Sequence, residues 1–556
     1  MSGRAPHPPS LRNPFAISTP NHIPKPSRDS HGAAFPSLLA LAALTLSAQV
    51  PYERIAAATE PGNWLTYSGT YEGHRYSPLK QIDRTNVAHL KPAWMYQTND
   101  LNPFETTPLV ADGVMYISEP PSNAAALDLR TGRPLWTFRR TIPSDVRACC
   151  GQVNRGVALL NDTVYLGTLD AHLIALDAKT GHLLWDTTVA DYKQGYSITV
   201  APLALKDRIV VGMAGGEYGV RGFLDSYEPK SGARQWRFYT VPGPGEPGHE
   251  TWKGDSWKQG SAATWVTGSY DPALNLLYWG TGNPGPDYDG DVRHGDDLYA
   301  DSILALDAST GKLKWHFQFT PGDVHDWDST HTPVLIDANF RGTPRKMLAV
   351  ANRNGFFYLL DRQSGQFLQG KAYGKEIWAK GLDDRGRPIL VPNMEPTPQG
   401  LQMYPGVHGA TNWFAPSYSP DTHLFYVATR EETTTYYRAT ADYTEGNLYT
   451  AGGNKGVPGI EPSGSIQALD PLTGDQRWSF ALHSPPWTGV LSTAGGLVFG
   501  GTSEGNLFAL DASTGKPLWD FQAGATAFSN PMSYEFEGKQ FIVMTSGHTL
   551  ITFGLQ

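Results

Sequence analysis

The chain has almost no cysteine and no run of basic residues. Of its 556 residues only two are cysteine, Cys149 and Cys150, and they are neighbours. Two cysteines cannot supply a disulfide framework, a cysteine-rich zinc site or an iron–sulfur cluster. No Cys-x-x-Cys-His occurs, so no c-type haem is attached to this chain, and redox chemistry here needs a different, non-covalently held cofactor. Charged residues are 17% of the chain and the formal net charge is −9. A mildly acidic chain of this kind carries no electrostatic footprint for nucleic acid. No Gly-x-Gly-x-x-Gly is expected to follow a strand and open a helix, so a Rossmann dinucleotide site is not expected.

Long apolar runs are also scarce. The one candidate, Ala33 to Val50, is Leu- and Ala-rich, is interrupted by Pro36 and is marginal in length for a spanning helix. It follows a polar, Pro-rich segment with Arg4, Arg12, Lys25 and Arg28, and small residues recur at Ser47–Ala48 and Ala56–Ala58. This order reads as a leader plus export signal over 1–58, with a membrane anchor or a disordered tail as the alternatives. The mature chain is expected outside the cytoplasm, in the periplasm, without stable membrane insertion.

What the chain has in abundance is glycine (59), proline (43) and tryptophan (16). So much Gly and Pro excludes a helical bundle, and so much Trp excludes disorder, which leaves a turn-rich, all-β protein. The pattern Ala-Leu-Asp-x-x-Thr-Gly-x-x-x-Trp recurs at Ala126–Trp136, Ala175–Trp185, Ala305–Trp315, Ala468–Trp478 and Ala509–Trp519. Looser copies run over Ser226–Trp236 and from Leu359, where Gln369 replaces the Trp. Each copy reads as strand, tight turn, strand, with Gly permitting a positive φ in the turn and Trp free to wedge between sheets. The acidic positions are spaced 49, 51, 79, 54, 109 and 41 residues apart, which fits four-stranded blades with two long insertions. An eighth blade is expected from the β-rich Phe536–Phe553 together with Ile82–Trp94. The expected fold is therefore an eight-bladed β-propeller with tryptophan-docking repeats over 60–556, its ring closed by N- and C-terminal strands.

Adjacent cysteines are unusual because consecutive Cα atoms lie about 3.8 Å apart, below the usual disulfide range. Taken alone the pair reads either as two unrelated buried thiols or as a strained eight-membered ring. Their surroundings, Cys-Cys-Gly-Gln-Val-Asn-Arg-Gly (149–156), join several further motifs in order. These are Gly-Gly-Glu-Tyr-Gly-Val-Arg-Gly (215–222), Gly-Thr-Gly-Asn-Pro (280–284), His-Asp-Trp-Asp (325–328), Asn-Arg-Asn-Gly (352–355) and Thr-Asn-Trp (411–413). With the Trp-bearing repeats, this set resembles the pyrroloquinoline-quinone (PQQ)-dependent alcohol dehydrogenases of the methanol/ethanol dehydrogenase type, from Trp64 to the C-terminus.

The resemblance implies an enzyme that oxidises a primary alcohol to an aldehyde by metal-assisted hydride transfer to PQQ, with Asp326 as the base. It implies a Cys149–Cys150 disulfide on one face of the quinone and Trp265 on the other. Arg155 and Arg353 match rim positions, where guanidinium suits carboxylates, and Glu105, Thr199, Asn412 and Trp487 match further contacts. Gly215 and Gly216 offer backbone N–H groups beside Ala214, where the family often has Ser. Glu217, Asn283 and Asp326 form an all-oxygen donor set for a hard cation. Asp328, expected on the same side as Asp326 in extended chain, is the mark of lanthanide-using members, with calcium as the alternative ion. Electrons would pass to a separate acceptor, a soluble cytochrome c. Alternatives are a sugar or polyol dehydrogenase of the same fold and a non-enzymatic periplasmic scaffold. The substrate pocket is expected to be shaped by loops such as 241–258 and 376–405.

Overall fold

The computed structural model describes residues 49–555. The leader and nearly all of the apolar run 33–50 lie outside the described residues. The order of strands gives an all-β, propeller-type fold: among the described residues there are seven four-stranded sheets and one of five strands, besides two small insert sheets. Within most of these sheets consecutive strands are antiparallel neighbours, such as the set Leu109–Ala111, Val114–Glu119, Asn123–Asp128 and Pro134–Phe138.

The repeat motif occupies the hairpin of the last two strands in seven of the eight main sheets. Its acid accepts hydrogen bonds in the turn, as Asp177 does from the backbone and hydroxyl of Thr180 at 2.8 and 2.7 Å. Its Trp lies opposite the Ala, Trp136 against Ala126 and Trp315 against Ala305. The indole N–H then reaches the next sheet: Trp136 donates to the Ala178 carbonyl at 2.9 Å, Trp185 to Pro229 at 2.9 Å and Trp478 to Ala512 at 3.0 Å. Where Trp is missing, the side-chain amide of Gln369 makes the equivalent bond to the Pro471 carbonyl at 3.2 Å.

The Gly of each turn is required by this docking. Gly181 has φ +71°, and a Cβ there would lie 2.6 Å from the Trp136 ring. Gly181→Ala should therefore lower stability by about 2–4 kcal/mol, combining left-handed backbone strain with overpacking. Comparing its thermal unfolding midpoint with that of Lys179→Ala, an exposed change in the same turn, checks this; equal midpoints would refute the docking account.

The N- and C-terminal segments share one sheet. Leu90–Gln97 pairs antiparallel with Thr549–Leu555, and Trp94 in that strand donates to the Leu129 carbonyl of the first repeat at 2.8 Å. Residues 50–57 pack on the fold as well. Val50 is buried and bridges Asn161, and the helix Tyr52–Ala57 buries Ile55 while Arg54 pairs with Glu60 and Asp112. The Gly-x-Gly-x-x-Gly spacing at 243–248 follows a strand after all, but it leads only into a three-residue 3₁₀ turn, His249–Thr251, and not into the helix of a βαβ unit. No described helix is long and apolar enough to cross a membrane.

Candidate active site

Antiparallel order decides where the loops meet, because the entry to a sheet's first strand and the exit from its second lie at the same end. Glu105, Arg155, Thr199, Trp265, Asn412 and Trp487 each stand just before the first strand of a different sheet. Gly215 to Glu217, Asn283 and Arg353 each follow a second strand, Arg208–Gly212, Leu276–Gly280 and Thr343–Ala351. Asp326 and Asp328 lie in the loop before Val334–Phe340. All of these line one cavity of about 430 Å³, together with Cys149 and Cys150.

At one side of the cavity Arg155 is clamped between two indoles, 4.8 Å from the Trp265 ring and 4.7 Å from that of Trp413. It donates to the Thr199 hydroxyl at 2.9 Å and pairs with Glu105 at 2.9 Å. The Cys149 and Cys150 sulfurs are bonded to one another, and Cys150 Sγ lies 4.0 Å from a Glu217 carboxylate oxygen. Gly215, at φ +117°, passes so close to the Gly195 carbonyl that a Cβ would sit 2.2 Å from it, so only glycine fits. Ala214 pairs by backbone with Ser197, which also lines the cavity and places a hydroxyl residue opposite the position where the resembled family often has Ser.

Opposite, Arg353 organises the acids. Its Nη1 donates to Asp328 at 2.6 Å, and its Nη2 to the carbonyls of Asp326 and Val407, each at 2.6 Å. Asp328 also accepts the Asn283 backbone N–H at 3.1 Å. The Asn283 amide donates to Asp287 at 3.0 Å, which leaves its oxygen free to act as a ligand. His331 Nε2 accepts the Arg353 backbone N–H at 3.1 Å; burial and the Arg353 charge push this imidazole down to about 3, so it stays neutral. The chain at Asp326 is not extended as expected from alternation: Asp326 has φ +61°. That left-handed turn, and not period-two alternation, brings its side chain to the same cavity as Asp328.

The acids repel one another. Burial, with the charge of Asp328 adding to it, raises Glu217 to about 7. Burial also raises Asp326 well above the usual carboxylate range, and Asp287, Asp328 and Glu217 add to it against the pull of Arg353. Asp328 is raised chiefly by burial. Among the described residues the one close group of three potential ligands is Cys149, Cys150 and Glu217, whose sulfurs are already bonded together.

This donor set fits a hard cation flanked by a planar anion. Glu217, Asn283, Asp326 and Asp328 supply only oxygen, and no described donor satisfies the Asp326 carboxylate. The Nε atoms of Arg155 and Arg353 are buried without a partner, as guanidiniums awaiting an acceptor would be.

Sequence reasoning missed Val153, Ser197, Val407, His408, Trp413 and Asn454 in the lining. Trp413 was within reach, as the last residue of Thr-Asn-Trp. Asn454 was not, because it comes from an inserted three-stranded sheet whose position only the structure gives. The loops 241–258 and 376–405, expected to shape the pocket, contribute no lining residue; 407–413 and 454 do so instead.

Residues 64–370 match the family model described as the glucose/ethanol/alcohol dehydrogenase β-propeller domain, and 462–554 that of the outer membrane protein assembly factor BamB. The chain is 40% identical over 504 residues to the quinoprotein alcohol dehydrogenase PedH of Pseudomonas putida, covering 86% of this chain and 84% of that protein. Among solved structures, the quinohemoprotein alcohol dehydrogenase of Comamonas testosteroni superposes with a TM-score of 0.88 at 35% identity, covering 92% of this chain and 83% of that one. A europium-containing methanol dehydrogenase superposes with a TM-score of 0.85 at 34% identity, covering 90% and 99%.

Proposed function

This chain belongs to the PQQ-dependent alcohol dehydrogenases, oxidoreductases that use that quinone with a calcium or lanthanide ion, and from that premise we propose that it oxidises a primary alcohol to an aldehyde in the periplasm. The observation that carries the reading is the convergence of all fifteen residues assigned from sequence on one cavity. PQQ would lie between Trp265 and the Cys149–Cys150 disulfide. Arg155 and Arg353 would hold its rim, with Glu105, Thr199, Asn412, Trp487 and the backbone of Gly215 and Gly216 as further contacts. Glu217, Asn283, Asp326 and Asp328 would hold the ion, and the third carboxylate, Asp328, favours a lanthanide over calcium.

When bound, the quinone supplies the hydride acceptor and the ion supplies the Lewis acid that polarises it. The chain's own task is the proton. Asp326 presents a carboxylate without a donor to the cavity, on a backbone pinned by Arg353, and takes the proton of the alcohol hydroxyl. A cation among Glu217, Asn283 and Asp328 would work against the burial, and the smaller repulsion from neighbouring acids, that raise Asp326. The electrons leave to a separate acceptor, a soluble cytochrome c.

The eight main sheets are read as blades of one ring over 60–556, joined end to end by the pairing of 90–97 with 549–555. Export is read to follow cleavage near Ser47–Ala48 rather than at Ala56–Ala58, since the later cut would remove the packed Val50 and the helix Tyr52–Ala57.

Protein freed of metal and quinone should gain dye-linked oxidation of short primary alcohols only when PQQ is added with calcium or a light lanthanide. Activity with a nicotinamide cofactor, or indifference to the quinone, would sink the assignment. Preference for glucose over the alcohol series would move it to the sugar dehydrogenases.

A further inference from the structure

His408 lines the cavity yet has no place in the assignments above. Its surroundings are built on three sides. Its Nδ1 lies 2.5 Å from a Glu432 carboxylate oxygen, and the second oxygen of that carboxylate accepts from Arg430 at 3.0 Å. Its ring meets the edge of Trp487 at 5.1 Å, and the Arg430 guanidinium covers the Trp487 face at 4.1 Å. Its carbonyl accepts the Asn412 amide at 2.9 Å.

A carboxylate on Nδ1 fixes the tautomer, so the lone pair of the neutral ring stands on Nε2. Among the described residues Nε2 has no partner. Burial works against ionisation of Glu432, but the hydrogen bond from His408 and the charge of Arg430 outweigh it and hold Glu432 down to about 2. Glu432 is therefore an anion at any working pH, ready to balance an imidazolium. The charged groups facing His408 are Glu432, Arg430 behind it, and Arg353 through the adjoining Val407.

Position completes the case. The His408 side chain is 45% exposed, whereas that of Glu432 is 12% exposed. The neighbouring Val407 carbonyl and the Asp326 carbonyl accept from the same Arg353 nitrogen. Val407, next to His408 in the chain, is thus tied through Arg353 to the proposed base, and His408 lines the cavity with part of its side chain toward water.

We propose that His408 carries protons between this cavity and bulk water during turnover, accepting them on Nε2, with Glu432 as the residue that positions and charge-balances it. Oxidation of R–CH₂OH to R–CHO releases two electrons and two protons. The electrons go to the separate one-electron acceptor in two steps, and both protons must reach solvent, since the cavity has no group that can keep them over repeated cycles. His408 takes up one proton at a time at Nε2 and releases it from the same nitrogen to water, ending each passage neutral. This inference rests on the reading of Asp326 as the base.

The test uses the reconstituted holoenzyme with His408→Ala, His408→Gln and Glu432→Gln. Bound quinone is measured directly by its absorbance, so that loss of turnover is separated from loss of cofactor. We expect full quinone content, a kcat lowered about tenfold or more, a larger solvent isotope effect on kcat, and a smaller change in KM. Free imidazole should restore turnover to His408→Ala, and Glu432→Gln should shift the pH profile of kcat. If both His408 variants keep the kcat and pH profile of the parent while only KM changes, His408 merely shapes the pocket and the proposal is overturned. Loss of turnover that follows loss of quinone, or that imidazole does not rescue, overturns it too. Asp326→Asn in the same assay separates the two readings: an inactive Asp326→Asn beside an unaffected His408→Ala refutes the relay alone, and an active Asp326→Asn refutes the base.

Discussion

Asp326→Asn should bind quinone and ion and yet turn over some 10²–10⁴-fold more slowly, the usual range for loss of a general base. The substitution is unusually clean here. Asn is among the few residues that tolerate the left-handed backbone found at Asp326. The Arg353 contact is made to the backbone carbonyl, so it survives the change of side chain. An amide oxygen can still ligate a cation, and volume is preserved. What disappears is basicity and one negative charge, and saturating metal offsets the second. Steady-state rates with calcium and with a light lanthanide, at saturating quinone and with folding checked by circular dichroism, should fall together. Substantial activity with either ion would show that another group removes the proton.

Asp328→Ala should separate metal choice from chemistry. A trivalent ion gains more from a third carboxylate donor than calcium does, so lanthanide-supported activity should be lost while calcium-supported activity is kept or raised. Loss of one carboxylate ligand should weaken lanthanide binding by at least about 10–100-fold, the range for removing even an outer-shell partner. The structure adds a second consequence, because Asp328 pairs with Arg353 at 2.6 Å and accepts the Asn283 N–H. Removing it also frees Arg353, the group that pins Asp326. Asp328→Asn is the control: with its amide oxygen toward Arg353 it keeps the shape and that acceptor, while removing the charge and the second acceptor, which serves the Asn283 N–H. If both variants lose only the lanthanide response, charge at 328 selects the ion. If Asp328→Ala loses both metals and Asp328→Asn neither, the residue acts by holding Arg353. If Asp328→Ala behaves like the parent with a lanthanide, Asp328 is not a ligand and the calcium reading takes over.

Much of the fold was legible because each repeat writes its own local chemistry. Asp and Thr close the turn, Gly permits its φ, and Trp supplies the indole that docks on the next sheet; these are nearest-neighbour demands, and seven copies state them. Even the exception was visible, since Gln369 keeps the donor that the missing Trp would have used. The insertions were legible only as gaps of 79 and 109 residues. The inserted residues belong to no repeat, so nothing in the pattern could show that Asn454 reaches the cavity while 241–258 and 376–405 do not.

The residues of the site were named from motifs, and each of them lines the cavity, but their reasons were only partly right. Asp326 and Asp328 were expected on one side by strand alternation, whereas a positive φ at Asp326 turns the chain there. Composition and repeat determined by themselves an all-β propeller-type protein, because those depend on residue type and short spacing, whereas the oxygen donors and rim arginines were named from the family resemblance that the motifs carry. The tertiary structure alone decided which loops share the cavity, that Arg353 ties Asp328 to Asp326 and Val407, and that His408 meets Glu432. Those contacts span 24 to 54 residues of chain, and antiparallel strand order brings the loop before a first strand against the loop after the second.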